Sequence, residues 1–110
     1  MQINTRRSEQ LAILDVSGDI DLANSPAMRK ALLHELNDLR TPRVVLNLKD
    51  VKYIDSSGVA SLVEGLKASR DAGSRFILFG LSTGVREVMQ LSKLVRIFEI
   101  CENEEEAIVR

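Results

Sequence analysis

Very little in this chain is of the kind that builds a disulfide framework, a metal centre or a covalent catalyst. Cys101 is the sole cysteine, which excludes an intrachain disulfide and a multi-cysteine metal site; it reads as a small apolar side chain near the last strand. The one histidine, His34, lacks the neighbouring Cys or His that a zinc site requires. It falls off the apolar face of its own helix and is remote in sequence from the serines it would have to activate, so it reads as solvent-facing. No Gly-x-Ser-x-Gly elbow occurs. The six glycines are isolated from one another, and no Gly-x-x-x-x-Gly-Lys phosphate loop is present. These absences argue against a hydrolase or a nucleotide-binding enzyme, and no catalytic residue, cofactor or metal is expected.

An excess of charge of one sign is missing too. Fifteen Lys and Arg stand against sixteen Asp and Glu, a formal net charge of −1, and the basic residues are scattered, so nucleic acid is not an expected partner. Long hydrophobic runs are absent: the polar start is followed by a short apolar stretch, Leu11 to Leu14, unlike a signal peptide and too short for a membrane span. A cytoplasmic protein without direct membrane insertion is expected. Proline is scarce, with Pro26 and Pro42 both beside the first helix, and neither a linker nor an internal repeat interrupts the chain. The 110 residues, 45% hydrophobic and 28% charged, have the balance of an ordinary globular domain, one spanning 1–110.

What is present alternates between two periodicities. Leu11 to Ser17 is apolar and partly β-branched and is closed by Gly18, as a strand would be, with Gln2 to Thr5 as a candidate edge partner. Ser25 is placed to cap a helix with Pro26 at its first position, and Met28, Ala31, Leu32, Leu36 and Leu39 then form one apolar face. Thr41-Pro42 stops that helix. Val44 to Leu48 follows as a nearly continuous apolar run, suited to a sheet covered on both faces. From Ser56 or Ser57 onward, Val59, Leu62, Val63 and Leu66 recur at helical spacing until Ala72-Gly73, a glycine C-cap. Phe76 to Phe79 is the next strand. Ser82-Thr83 caps a third helix with Val85, Val88 and Met89 inward, and Val95 to Ile100 reads as a last strand before an acidic helix at Glu104 to Glu106. Such alternation predicts an α/β fold with a mixed, mostly parallel sheet of four to five strands and about four helices. It leaves the strand order open.

Ile54-Asp55-Ser56-Ser57-Gly58 stands between a buried strand and the start of an amphipathic helix, where open α/β sheets present their working groups. A helix start exposes unpaired N–H groups and a partial positive charge. A serine there can cap the helix or carry a phosphate, and spacing alone favours capping.

Val44-Val-Leu-Asn-Leu-Lys-Asp-Val-Lys-Tyr-Ile-Asp-Ser-Ser-Gly-Val59 resembles the signature of the anti-sigma-factor antagonists, the STAS domains: an apolar strand, Asn-Leu, a short loop, then Asp-Ser-Ser/Thr-Gly. Gly18-Asp-Ile-Asp21 is similar to that family's Gly-Glu-Leu-Asp turn. The segment from Ala72-Gly73 through Leu91-Ser-Lys-Leu94 resembles its following strand and helix. The resemblance implies a binding protein rather than an enzyme, which docks on an anti-sigma factor that is also a serine kinase. It implies phosphorylation of Ser56 by that kinase and a serine phosphatase to reset it. Around Ser56 it implies partner contacts from Asp19, Asp21, Asp55, Ser57 and Gly58, with Asp55 capping or orienting the serine, and Gly58 equally open to a local packing role. STAS-like domains also serve as scaffold or accessory subunits of signalling assemblies or membrane transport systems, and the fold alone does not separate these roles.

Overall fold

The structure is a computed structural model and describes residues 1–109. Strands β1 (Gln2–Arg7) and β2 (Leu11–Ser17) form an antiparallel hairpin. Helix α1 (Ser25–Leu33) runs directly into a π turn, His34–Asp38, and leads to β3 (Arg43–Asp50). Helix α2 (Ser56–Ala72), β4 (Arg75–Phe79), α3 (Thr83–Leu91), β5 (Glu99–Cys101) and α4 (Glu104–Val109) complete the described chain. The five strands lie in chain order, and β2 through β5 are parallel. Parallel neighbours need crossovers, which α1, α2 and α3 supply.

Period-2 alternation decides what each face buries. Ala12, Leu14 and Val16 of β2, Val44, Leu46 and Leu48 of β3, and Phe76 and Leu78 of β4 share one core with Met28, Leu32, Val59, Leu62, Val85 and Met89 of the three crossover helices. The intervening Ile13, Val45, Ile77 and Phe79 point the other way and pack with Cys101 and with Ala107 of α4. Both faces of β3 are therefore covered, as its unbroken apolar run requires. Cys101 is buried in β5 as a small apolar residue.

Three local readings are corrected. Asn24 rather than Ser25 occupies the N-cap of α1, and no side chain bonds there; Ser25 is already helical and buried. Its role passes to the turn before it, where the Asp21 carboxylate and carbonyl accept the Asn24 N–H. Leu39 is 47% exposed although Leu36 is fully buried. The reason is the π turn: Leu39 N–H bonds the His34 carbonyl five residues back, and the wider winding rotates Leu39 off the face that 3.6-residue spacing predicts. The last strand is shorter than Val95 to Ile100, because the chain turns at 95–97 with Ile97 N–H bonded to the Leu94 carbonyl and pairs with β4 only from Glu99.

The π turn also buries Glu35, which receives two bonds from the Arg7 guanidinium and one from the Thr41 hydroxyl at 2.8 Å. A carboxylate taken out of water needs such donors. These bonds tie the β1 edge to the corner between α1 and β3.

Candidate functional site

The C-terminal ends of β2 and β3 are adjacent, so the segments that leave them, 18–24 and 51–55, meet above the sheet, the usual place for a working site in such folds. They are stitched together as a short extension of the parallel pairing. Ile20 N–H donates to the Tyr53 carbonyl at 3.0 Å, and Asp55 N–H donates to the Ile20 carbonyl at 3.1 Å. Ile20 and Ile54, both fully buried, form the bridge between them.

Asp55 is the N-cap of α2. Its Oδ1 accepts the N–H groups of Ser57 at 2.9 Å and Gly58 at 3.1 Å and the Ser57 hydroxyl at 2.5 Å, while Oδ2 accepts the Leu22 N–H at 3.1 Å. Two helix-start donors are thus satisfied by one side chain. The Ser57 hydroxyl bond above all, then the backbone donors, hold the Asp55 carboxyl below its usual range.

Ser56 and Ser57 are adjacent and differently placed. Ser56, the first residue of α2, is exposed. Ser57 is half-buried, with its hydroxyl given to Asp55 and approached by the buried Ser25 hydroxyl at 3.4 Å. Gly58 is buried: a Cβ there would lie 2.6 Å from Ile54 Cγ1, 2.7 Å from Ile20 Cγ2 and 2.8 Å from the Ile20 carbonyl oxygen. Its missing side chain admits the Ile20 segment of the same chain. Asp21 spends its carboxylate on the Asn24 N–H at 3.0 Å, and Asp19 is exposed in the same turn with its carbonyl accepting from the Asn24 amide at 3.2 Å. All six residues implied by the resemblance therefore gather on one end of the sheet. Asp19 and Ser56 face solvent, Asp21, Asp55 and Ser57 are half-buried, and Gly58 supports from beneath.

Several neighbours escaped sequence reading. Leu22 is 76% exposed and Tyr53 51% exposed beside the site. Gly84 lets α3 lie against the loop, since a Cβ there would fall 2.6 Å from the Lys52 carbonyl oxygen. A shallow surface depression joins Ser56 to Val59, Val63 and Lys67 of α2 and to Ser92 and Leu94. An apolar residue within the polar turn Gly18 to Asn24 was the one signal available for Leu22; the others depend on contacts between distant segments. His34 sits on the π turn with Nδ1 2.9 Å from Asp38.

Residues 2–107 match the STAS domain family. This chain belongs to that family, the anti-sigma-factor antagonists. The anti-sigma-B factor antagonist of Listeria monocytogenes serovar 1/2a is 31% identical to the STAS domain described here over 101 residues, 91% of this chain and 86% of that protein. A Thermotoga maritima protein, described as a candidate anti-sigma factor antagonist, matches the STAS domain with a TM-score of 0.89 at 25% identity, over 96% of this chain and 91% of that one. The Bacillus cell fate determinant SpoIIAA in its phosphorylated form shares the fold, with a TM-score of 0.75 at 21% identity over 97% of this chain and 96% of that one. The mixed five-stranded sheet with four helices is the architecture expected for the family. Among the described residues, no helix of the STAS domain is long and apolar enough to cross a membrane.

Proposed function

We propose that this STAS domain binds an anti-sigma factor that is also a serine kinase, and that phosphorylation of Ser56 by that kinase releases it, so regulating transcription. The observation that carries the proposal is the difference between the two adjacent serines: Ser56 is exposed at the first position of α2, whereas the Ser57 hydroxyl is committed to Asp55. The names of the relatives support this reading: one is an anti-sigma-B factor antagonist, and SpoIIAA exists in a phosphorylated form.

The local chemistry explains how the switch would work. Asp55 already occupies the N–H groups of Ser57 and Gly58, so a phosphate on Ser56 finds those helix-start donors taken. It remains as nearly two negative charges beside a carboxylate. A partner seated over Ser56, with Asp19 and Asp21 at the rim and Asp55 beneath, would have to desolvate that charge. Asp55, engaged by four donors, positions the serine rather than taking its proton; the kinase supplies its own base. A phosphatase then restores the free hydroxyl.

The test is incubation with the cognate kinase and ATP, followed by mass spectrometry and calorimetric titration. Phosphate is expected on Ser56, with Ser56→Ala retaining affinity for the kinase and Ser56→Asp binding at least about tenfold more weakly. Phosphate found only on another residue, or equal affinities for Ala and Asp, would overturn the proposal.

A further inference from the structure

The second face of the sheet is covered very differently from the first. α1, α2 and α3 share a large core, whereas among the described residues of α4 only Ala107 is fully buried; Ile108 is half-buried and Val109 is 79% exposed. With so little of its described surface buried, α4 depends on what holds it to the sheet. Among the described residues, two guanidinium groups do so from the sheet. Arg43 Nη1 donates to the Ala107 carbonyl at 2.9 Å, and Arg6 Nη2 and Nη1 donate to Glu104 at 2.6 and 3.2 Å.

Arg6 is anchored independently of α4. Its Nε and Nη2 donate to Asp15 at 2.7 and 2.9 Å, and Asn47 donates to the same carboxylate at 2.8 Å. When Glu104 leaves, Arg6 keeps its carboxylate partner and gains water, because its side chain is 47% exposed. Opening therefore strands no charge at Arg6; its cost is the loss of the Arg43 bond to the Ala107 carbonyl and the wetting of the apolar side chains that Ala107 and Ile108 cover.

We propose that α4 is a strap that lifts from the sheet as a unit while the domain stays folded, with the Arg6–Glu104 pair as one of its fastenings. Lifting bares Ile13, Val45, Ile77, Phe79 and Cys101, so the buried Cys101 thiol reports the open state.

The experiment is alkylation of Cys101 by iodoacetamide in the intact chain, as a function of urea, in wild type, Glu104→Gln and Glu99→Gln. Glu104→Gln is expected to raise the labelling rate about two- to fivefold, the size of one partly exposed ion pair. Salt of about 1 M, where the screening length is about 3 Å, should do the same to wild type. Glu99→Gln removes the pair between Arg75 and β5 and should leave the rate near wild type. Labelling should vary with urea less steeply than global unfolding does. A slope equal to the global one, or equal acceleration by both variants, would show that Cys101 is reached by global unfolding or by fraying of β5, and the strap would be discarded. Ile108→Ala, which weakens the apolar contact alone, must also accelerate labelling if the strap is real.

Discussion

Asp55 Oδ2 accepts the Leu22 N–H at 3.1 Å while Oδ1 of the same carboxylate closes the first turn of α2. One side chain thereby couples the turn after β2 to the helix that carries Ser56. Asp55→Ala should lower the urea midpoint and speed amide exchange at Leu22, whereas Asp55→Asn should keep most of the cap, because Asn and Asp cap comparably. Unchanged exchange at Leu22 in Asp55→Ala would contradict the coupling.

Gly58 is expected to tolerate no side chain. With Ile54, Ile20 and the Ile20 carbonyl all within 2.8 Å of an added Cβ, Gly58→Ala must push apart the two stitched loops, at a cost of about 1–3 kcal/mol. Chemical denaturation measures this directly, and a stability equal to wild type would mean the loops yield freely.

The two serines should separate cleanly. Ser57→Ala removes the 2.5 Å bond to Asp55 and should reduce stability while leaving kinase-dependent phosphate incorporation at Ser56 intact. Loss of incorporation in Ser57→Ala, with the fold preserved by circular dichroism, would relocate the acceptor.

Winding in the π turn makes a quantitative contrast. Leu36→Ala should cost about 2–5 kcal/mol, while Leu39→Ala, at a residue 47% exposed, should stay within about 0.5 kcal/mol. Equal losses would place both residues in the core.

Acid should destabilise the fold through a named set of carboxylates. Asp15 and Glu104 are held low chiefly by Arg6, and Asp55 by the Ser57 hydroxyl. A folded-state value below the unfolded one means stability is fully present above the unfolded value and is lost as pH falls through the folded one. The urea midpoint should therefore be level in the contribution of these groups near neutrality and decline below about pH 4, where unfolded carboxylates take up protons. A midpoint that rises on acidification over that range would refute the assignment.

The features legible in the sequence were those whose causes lie within a turn or two of chain. Ser82 caps α3 with its own side chain and Gly73 ends α2 in the left-handed region, because capping is a contact among near neighbours; at α2 the cap is Asp55, one residue before the serines to which spacing gave that role. The Asp-Ser-Ser-Gly segment was conspicuous for the same reason. Ser25 misled because a Ser-Pro pair marks the start of a helix without saying which residue is its first; the Asp21 and Asn24 turn settled that. Leu39 misled because a strict 3.6 period has no way to register one wide turn.

By itself the sequence determined the alternation of strands and helices, the burial of β3 on both faces, and the position of Ser56 at a helix start, since each follows from local spacing and hydrophobic pattern. Only the tertiary structure decided the order of the strands, the meeting of Leu22 with Asp55, the packing of Ile20 where Gly58 has no side chain, and the Arg6–Glu104 pair, whose members stand 98 residues apart. The physical reason is that a hydrophobic pattern states which face of an element must be covered, while the identity of what covers it is set by distant segments competing for the same surface.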